Sequence, residues 1–317
     1  MHDALRVIYL GGLGRSGSTL LERLLGELPG VNPLGEVVHL WQRGLAENER
    51  CGCGDQFGDC DFWSLVGKAA FGGWDKVSVR RVAELKDAVD RTRFIPLLAG
   101  PGLPARMRRS LTEYTSYYLR VYQAVVEVTG ATALVDSSKH ASLAFCLSRR
   151  PEIDLRVIHL VRDSRAVAYS WATRVARPDA SAESYMTTYP PVRAAGHWNA
   201  ENSALQLLAR RGTPVLRIRY EDLVRSPEQT VRTLARFAGL HVDEAALGFL
   251  GGQGESRCAV LHEAHTASGN PLRFATGKVA IRSDERWRAA MPGRHRRTVT
   301  ALTLPLLAHY GYLRGSA

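Results

Sequence analysis

Residues Val7-Ile8-Tyr9-Leu10 form an apolar run that passes into Gly11-Gly12-Leu13-Gly14-Arg15-Ser16-Gly17-Ser18-Thr19 and then into a leucine-rich segment. Leucines at 20, 21, 24, 25 and 28 fall at helical spacing, and Pro29-Gly30 stops them. The pattern predicts a strand, a glycine-rich turn and a helix, the local arrangement that cradles an anion. Gly12, Gly14 and Gly17 reach backbone angles closed to other residues, so main-chain N–H groups can face the ligand. Ser18 and Thr19 add hydroxyls at the helix N-terminus, and Arg15 adds a permanent fork-shaped charge suited to phosphate or sulfate oxygens. From Gly12 to Gly17 the stretch matches the G-x-x-x-x-G part of a nucleoside-triphosphate loop, but Ser18 stands where its lysine belongs. An ordinary ATPase or kinase is thereby disfavoured.

A chain of 317 residues can bury a full core, and a single α/β domain spanning 1–317 is the expectation. Net charge is +11, which favours anionic ligands. Only five of the 42 basic residues are lysine (68, 76, 86, 139 and 278), and the arginines are scattered rather than gathered into a patch, so nucleic acid is not an expected partner. The first residues lack the basic and long apolar stretches of a signal peptide, and no apolar run approaches a membrane span, so a cytoplasmic protein is expected. Five cysteines fit a reducing compartment better than a disulfide framework.

Further along, Gly35-Glu36 ends a short extended stretch that returns toward the mouth of the first strand. On residue type alone Glu36 is a solvated loop carboxylate. Cys51, Cys53 and Cys60 could begin a zinc site with His39 as fourth ligand, but the paired spacing of structural zinc is absent. The reading adopted is a compact glycine-rich loop anchored by Phe57, Phe62 and Trp63, with no metal. Residues from Trp74 to about Gly130 read as helical, interrupted between Pro96 and Pro104, and the segment of about 40–130 is expected to cap the anion-binding end of the domain and shape a pocket there. Tyr114, Tyr117, Tyr118 and Tyr122 read as core and rim.

A second strand, Ala131 to Val135, ends in Asp136-Ser137-Ser138-Lys139-His140, and polar residues at that edge of an open parallel sheet face the ligand crevice. The same residues can equally cap and pair at a helix start. Leu155 to Val161 is a buried strand followed by Arg162-Asp163-Ser164 and a helix; Arg162 paired with Asp163 is the structural alternative. Tyr220-Glu221-Asp222-Leu223 after another strand reads as scaffold. Arg282 to Arg297 holds six arginines and two acids and reads as a solvated helix surface and cofactor rim, and Leu302, Leu306, Leu307 and Tyr310 are expected to pack the last helix.

Arg15-Ser-Gly-Ser-Thr-Leu20 directly after a buried strand resembles the 5′-phosphosulfate loop of sulfotransferases that use 3′-phosphoadenosine 5′-phosphosulfate (PAPS). Arg162 and Ser170, eight residues apart across a strand-to-helix turn, resemble the family's second signature, which grips the 3′-phosphate. Val-Asp-Ser-Ser-Lys139 and Ser268-Gly-Asn-Pro-Leu-Arg273 resemble stretches common in bacterial members. The resemblance implies an α/β fold, a P-loop-like three-layer sandwich with a mainly parallel central sheet. It implies a PAPS-binding set of Gly14, Arg15, Ser16, Gly17, Ser18, Thr19, Leu20, Arg162, Ser170 and Arg273, and a catalytic set of Glu36 as base with Lys139 and Arg15. His39 and His140 are alternative bases.

The implied reaction moves a sulfuryl group from PAPS to a hydroxyl of a small-molecule, glycolipid or natural-product acceptor, releasing 3′-phosphoadenosine 5′-phosphate (PAP), with no metal required. The alternatives are a nucleotide kinase or NTPase with an aberrant loop, and a non-catalytic nucleotide-binding protein. Residues 37–130 and 172–200 are expected to shape the acceptor pocket, whose specificity and whose oligomeric setting are not written in the sequence.

Overall fold

A computed structural model of the protein describes residues 4–177 and 185–313. Residues 178–184, part of the expected acceptor-lining stretch, lie outside it. The chain runs β1 (Leu5–Gly11), α1 (Ser18–Gly26), β2 (Val31–Pro33), α2 (Asp61–Phe71), α3 (Val79–Val89), α4 (Ile95–Leu98), α5 (Ala105–Thr129), β3 (Ala133–Lys139) and α6 (Ala141–Leu147). It continues through β4 (Ile153–Val161), α7 (Ser164–Ala172), α8 (Pro191–Arg210), β5 (Val215–Arg219), α9 (Tyr220–Arg225) and α10 (Pro227–Phe237). The last elements are β6 (Leu250–Gly251), β7 (Cys258–Leu261), β8 (Gly277–Ala280), α11 (Trp287–Ala290) and α12 (Gly293–His309).

Five strands form one parallel sheet in the order β2-β3-β1-β4-β5. Strand β1 is central, pairing on both edges, and its alternation divides the core. Val7 and Tyr9 enter one hydrophobic cluster with residues of α2, α3, α5, α6 and α8, whereas Ile8 and Leu10 enter another with α1, α9 and α10. A strand buried on both faces must be apolar throughout, which is why Val7 to Leu10 reads as a continuous run. The result is the three-layer, mainly parallel α/β architecture expected from the sequence.

The segment of about 40–130 shares the first of these cores, and Tyr114, Tyr118 and Tyr122 are fully buried in it. Its α5 therefore serves as an outer layer on the sheet. A small antiparallel sheet, β6-β7-β8, packs beside the second core; its strands are too short to leave a pattern in the sequence. Of the four residues expected to pack the last helix, Leu307 and Tyr310 are buried and Leu306 is half-buried, whereas Leu302 is 46% exposed; Val299 and Thr303 complete the buried stripe. Spacing of four along α12 selects that stripe, and Leu302 falls outside it. Leu307→Ala should cost about 2–5 kcal/mol of unfolding free energy, and Leu302→Ala should stay within about 0.5 kcal/mol, as read by urea titration.

Candidate active site

At the carboxyl end of β1, Gly12 donates its N–H to the carbonyl of Lys139 at 3.3 Å, with φ of 137°. A Cβ there would lie 2.4 Å from the Leu160 carbonyl oxygen, and one on Gly17, at φ 94°, would lie 2.5 Å from the Tyr220 ring. Between these glycines the loop's carbonyls are engaged by protein donors. Ser16 Oγ donates to Leu13 O at 2.7 Å, Trp171 Nε1 to Gly14 O at 2.9 Å and Arg162 Nη1 to Arg15 O at 3.1 Å. The first N–H groups of α1 follow an N-cap, Gly17, that supplies no side-chain cap. Ser18 and Thr19 are buried at that end, and Leu20 packs beneath it in the core.

Arg15 and Lys139, the two cations expected to act, share a feature that residue type does not announce. Among the described residues only they and Asn48 are non-glycine positions at positive φ, 74° and 72° respectively. Left-handed backbone is costly for a side-chain-bearing residue, and surrounding structure must hold it. Arg15 lies over the Trp171 ring at 5.5 Å, and its Nη2 is buried with no hydrogen-bond partner among the described residues. Burial lowers its pKa, against the pull of Glu36, yet a guanidinium stays charged.

Glu36 sits on a turn bonded from several sides. Leu34 N–H donates to Val135 O at 2.9 Å, Gly35 N–H to Glu22 Oε1 at 2.6 Å, Glu36 N–H to Ser268 O at 3.2 Å and Val38 N–H to Ser138 Oγ at 2.9 Å. Gly35, at φ 78°, admits no side chain, because a Cβ would lie 2.7 Å from Ala267 N. Glu22 also accepts from Ser137 Oγ at 2.8 Å, while Asp136 accepts from Tyr122 and Ser138. The polar end of β3 thus does two jobs: Asp136, Ser137 and Ser138 brace the turn from within, and Lys139 reaches its carboxylate. Lys139 Nζ bonds Glu36 Oε1, and His39 Nε2 stands 3.4 Å from Oε2.

Burial alone would raise Glu36, but Lys139, His39 and Arg43 override it and bring its pKa down to about 2. Burial holds His39 well below the ordinary imidazole value and His140 at about 4, so both rings are neutral at pH 7. Burial pushes Glu22 up to about 7 despite its hydrogen bonds from Ser137 and Gly35. Sequence reasoning passed over Glu22 inside a leucine-rich helix; its position one turn after Ser18 was the only available signal. Trp171, adjacent to Ser170, and Tyr220, read as scaffold, were also missed as loop walls.

Arg162 is buried beside the loop, stacked over Tyr220 at 4.4 Å, and its Nη2 donates to Asp284 O at 2.8 Å. Those two bonds use two of the five N–H donors of a guanidinium. Its partner Asp284 lies in the arginine-rich stretch 282–297, which is only partly helical. The Arg162–Asp163 pair, the structural alternative, is not seen among the described residues; Asp163 instead caps α7 and binds Arg165 at 2.6 Å. Ser170 is half-buried on α7.

Arg273 is placed otherwise than the resemblance implied. It is 1% exposed, its Nη1 donates to Thr266 O at 2.7 Å and its Nη2 to Arg50 O, so the guanidinium ties backbone segments together inside the protein. The 266–273 segment does reach the site, but through backbone: Gly269 borders Glu36 Oε1 and Thr19 Oγ1. Elsewhere, a cavity of about 400 Å³ between Leu98, Arg149, Leu155 and Pro214 opens at the opposite, N-terminal edge of the strands.

A family profile described as the sulfotransferase family matches residues 80–244, and the chain belongs to that family. It is similar to human carbohydrate sulfotransferase 3, with 30% identity over 179 residues, 52% of this chain and 35% of the relative. The chain thus spans about a third of that protein's length. Among solved structures it is similar to the sulfotransferase domain of the Synechococcus PCC 7002 olefin synthase, at 19% identity over 96% of both chains and a TM-score of 0.49. Another is the sulfotransferase domain from the curacin biosynthetic pathway, at 16% identity over 96% of this chain and 98% of that one, with a TM-score of 0.49. No helix among the described residues is long and apolar enough to cross a membrane.

A carboxyl held at about 2 when folded, against 4.5 unfolded, adds stability that is fully present above pH 4.5 and is lost as pH falls toward 2. Thermal melts of wild type and Glu36→Gln should therefore differ most at pH 6–7 and converge as pH is lowered from 4.5 toward 2.

Proposed function

We propose that this sulfotransferase takes PAPS as donor and a hydroxyl-bearing small molecule, lipid or glycan as acceptor, with Glu36 as general base. The observation that carries the reading is the juxtaposition of an unpartnered Arg15 nitrogen, a glycine-lined turn and the Glu36–Lys139 pair at one end of the sheet. The glycine cradle and the open arginine nitrogen fit a sulfated nucleotide, whose anionic oxygens match N–H donors and a guanidinium. Arg15, the α1 N-terminus, Ser18 and Thr19 would hold its 5′ end, with Arg162 and Ser170 at the 3′-phosphate. PAPS supplies the sulfuryl group, which the acceptor oxygen takes as the bond to the PAP phosphate breaks.

The acceptor's proton goes to a Glu36 carboxylate, and Arg15 and Lys139 stand where negative charge on the leaving phosphate must be balanced. Paired with Lys139, Glu36 at about 2 is a weak base. An anion that draws Lys139 away removes the strongest force lowering Glu36 and leaves burial to raise it toward a useful range. His39 and His140 are neutral and able to accept a proton; Glu36 is preferred as base because its carboxylate is the group that Lys139 engages at the loop. A carbohydrate hydroxyl is one candidate acceptor, in keeping with the name of the human relative.

Calorimetry with PAP and with ATP, both without Mg²⁺, tests the donor assignment. PAP should bind and ATP should not compete, and Arg162→Ala should weaken PAP by tenfold or more, about 1.4 kcal/mol; equal binding of ATP, or indifference to Arg162, sinks the reading. Lys139→Met should lower kcat and move the acid limb of the kcat/KM profile to higher pH, because the main partner depressing Glu36 is gone. An unmoved acid limb would assign the base elsewhere.

A further inference from the structure

Cys51, Cys53, Cys60 and His265 converge on one point at the flank of the site. Their four ligand atoms all lie within 4.8 Å of one another. Cys53 Sγ stands 3.8 Å from Cys60 Sγ, and His265 Nδ1 stands 3.3 Å from Cys60 Sγ and 3.9 Å from Cys51 Sγ. Two thiolates bound to a common tetrahedral zinc lie about 3.8 Å apart, and a thiolate and an imidazole nitrogen about 3.6 Å apart. A disulfide needs sulfurs about 2 Å apart, and none of the three cysteines forms one. We propose that these residues bind one structural Zn²⁺ in a Cys₃His site.

The surrounding backbone is shaped for the cluster. Cys51 N–H donates to Asp55 O at 2.8 Å and Gly54 N–H to Cys51 O at 2.9 Å, folding the Cys51-Gly-Cys53 turn on itself. Gly52 N–H donates to Thr266 O at 3.0 Å, and a Cβ on Gly52 would lie 2.3 Å from Ala264 O, so only glycine lets the turn press against the segment that carries His265. Cys60 is the N-cap residue of α2, where the helix dipole favours a thiolate. Phe62, two residues on, stacks on the His265 ring at 4.9 Å and 12°, which fixes its plane. Nδ1 is thereby aimed at the sulfurs. Phe57, Phe62 and Trp63 do pack the loop as the sequence suggested, but the fourth ligand is His265; His39 lies beside Glu36.

Three thiolates and a neutral imidazole leave one net negative charge on a zinc centre, a full four-ligand shell with no open position and hence a structural rather than hydrolytic role. Its mechanical effect reaches the site. The metal would tie residues 51–60 to residues 264–266, and the next two residues brace the Glu36 turn, Ala267 N–H donating to Leu34 O at 2.8 Å and Ser268 O accepting from Glu36.

Metal analysis of protein purified without a metal-affinity tag should find about one zinc per chain, released when a mercurial titrates the thiols. Cys60→Ser and His265→Ala should lose most of it, whereas Cys258→Ser, at a cysteine outside the cluster, should keep it. If the ligand variants fail to fold, wild type stripped by a chelator and refilled with Co²⁺ still decides. Thiolate-to-cobalt charge transfer and visible bands of a tetrahedral sulfur-rich centre are expected, with a melting temperature recovered from that of the stripped protein. Absence of those bands, zinc retained equally by Cys60→Ser, or a cysteine pair that resists alkylation until reduced would overturn the site.

Discussion

The pairing of β1 with β3 is the constraint on which the site depends. Parallel register places Tyr9 opposite Asp136 and Gly11 opposite Lys139, with a shift between them, so the glycine loop and the lysine end at the same height. Gly12 then takes the Lys139 carbonyl, and both Lys139 and Arg15 are held in left-handed backbone within that corner. Two cations aimed at one place repel each other, and a nearby acid offsets that repulsion. Glu36 does so, pairing with Lys139 and acting on Arg15.

That pairing also explains why so much buried polar structure surrounds a single turn. Glu22, Asp136, Ser137 and Ser138 are each about 1% exposed or less, and all bond either the Gly35–Val38 turn or one another. Burying carboxylates is costly unless their acceptor sites are filled. The family resemblance named Lys139 from this stretch and was silent on its neighbours, although they position Glu36 as firmly as Lys139 engages it.

The segment 264–273 ties together features far apart in the chain. Arg273 holds Thr266 and Arg50, Arg23 donates to the carbonyls of Arg273 and His262, and Ser268 receives Arg43 and Glu36. An arginine that was expected to meet a phosphate instead satisfies backbone carbonyls that would otherwise be buried without donors. A motif match places residues in sequence; whether a guanidinium points to solvent, ligand or backbone depends on what packs around it.

Sequence alone determined what is local. The apolar run, three glycines and leucine spacing of residues 7–28 specify strand, loop and helix, because backbone conformation and periodicity are properties of adjacent residues. The same holds for β3, β4 and the helices that follow them, and hence for the parallel α/β class. Tertiary structure alone decided which distant groups meet. His265 joins cysteines more than 200 residues earlier, Glu22 on α1 supports a turn beyond β2, Asp284 finds Arg162, and Leu302 turns outward. None of these leaves a spacing to read, since each is set by how the layers pack and by which buried donors and acceptors remain to be satisfied.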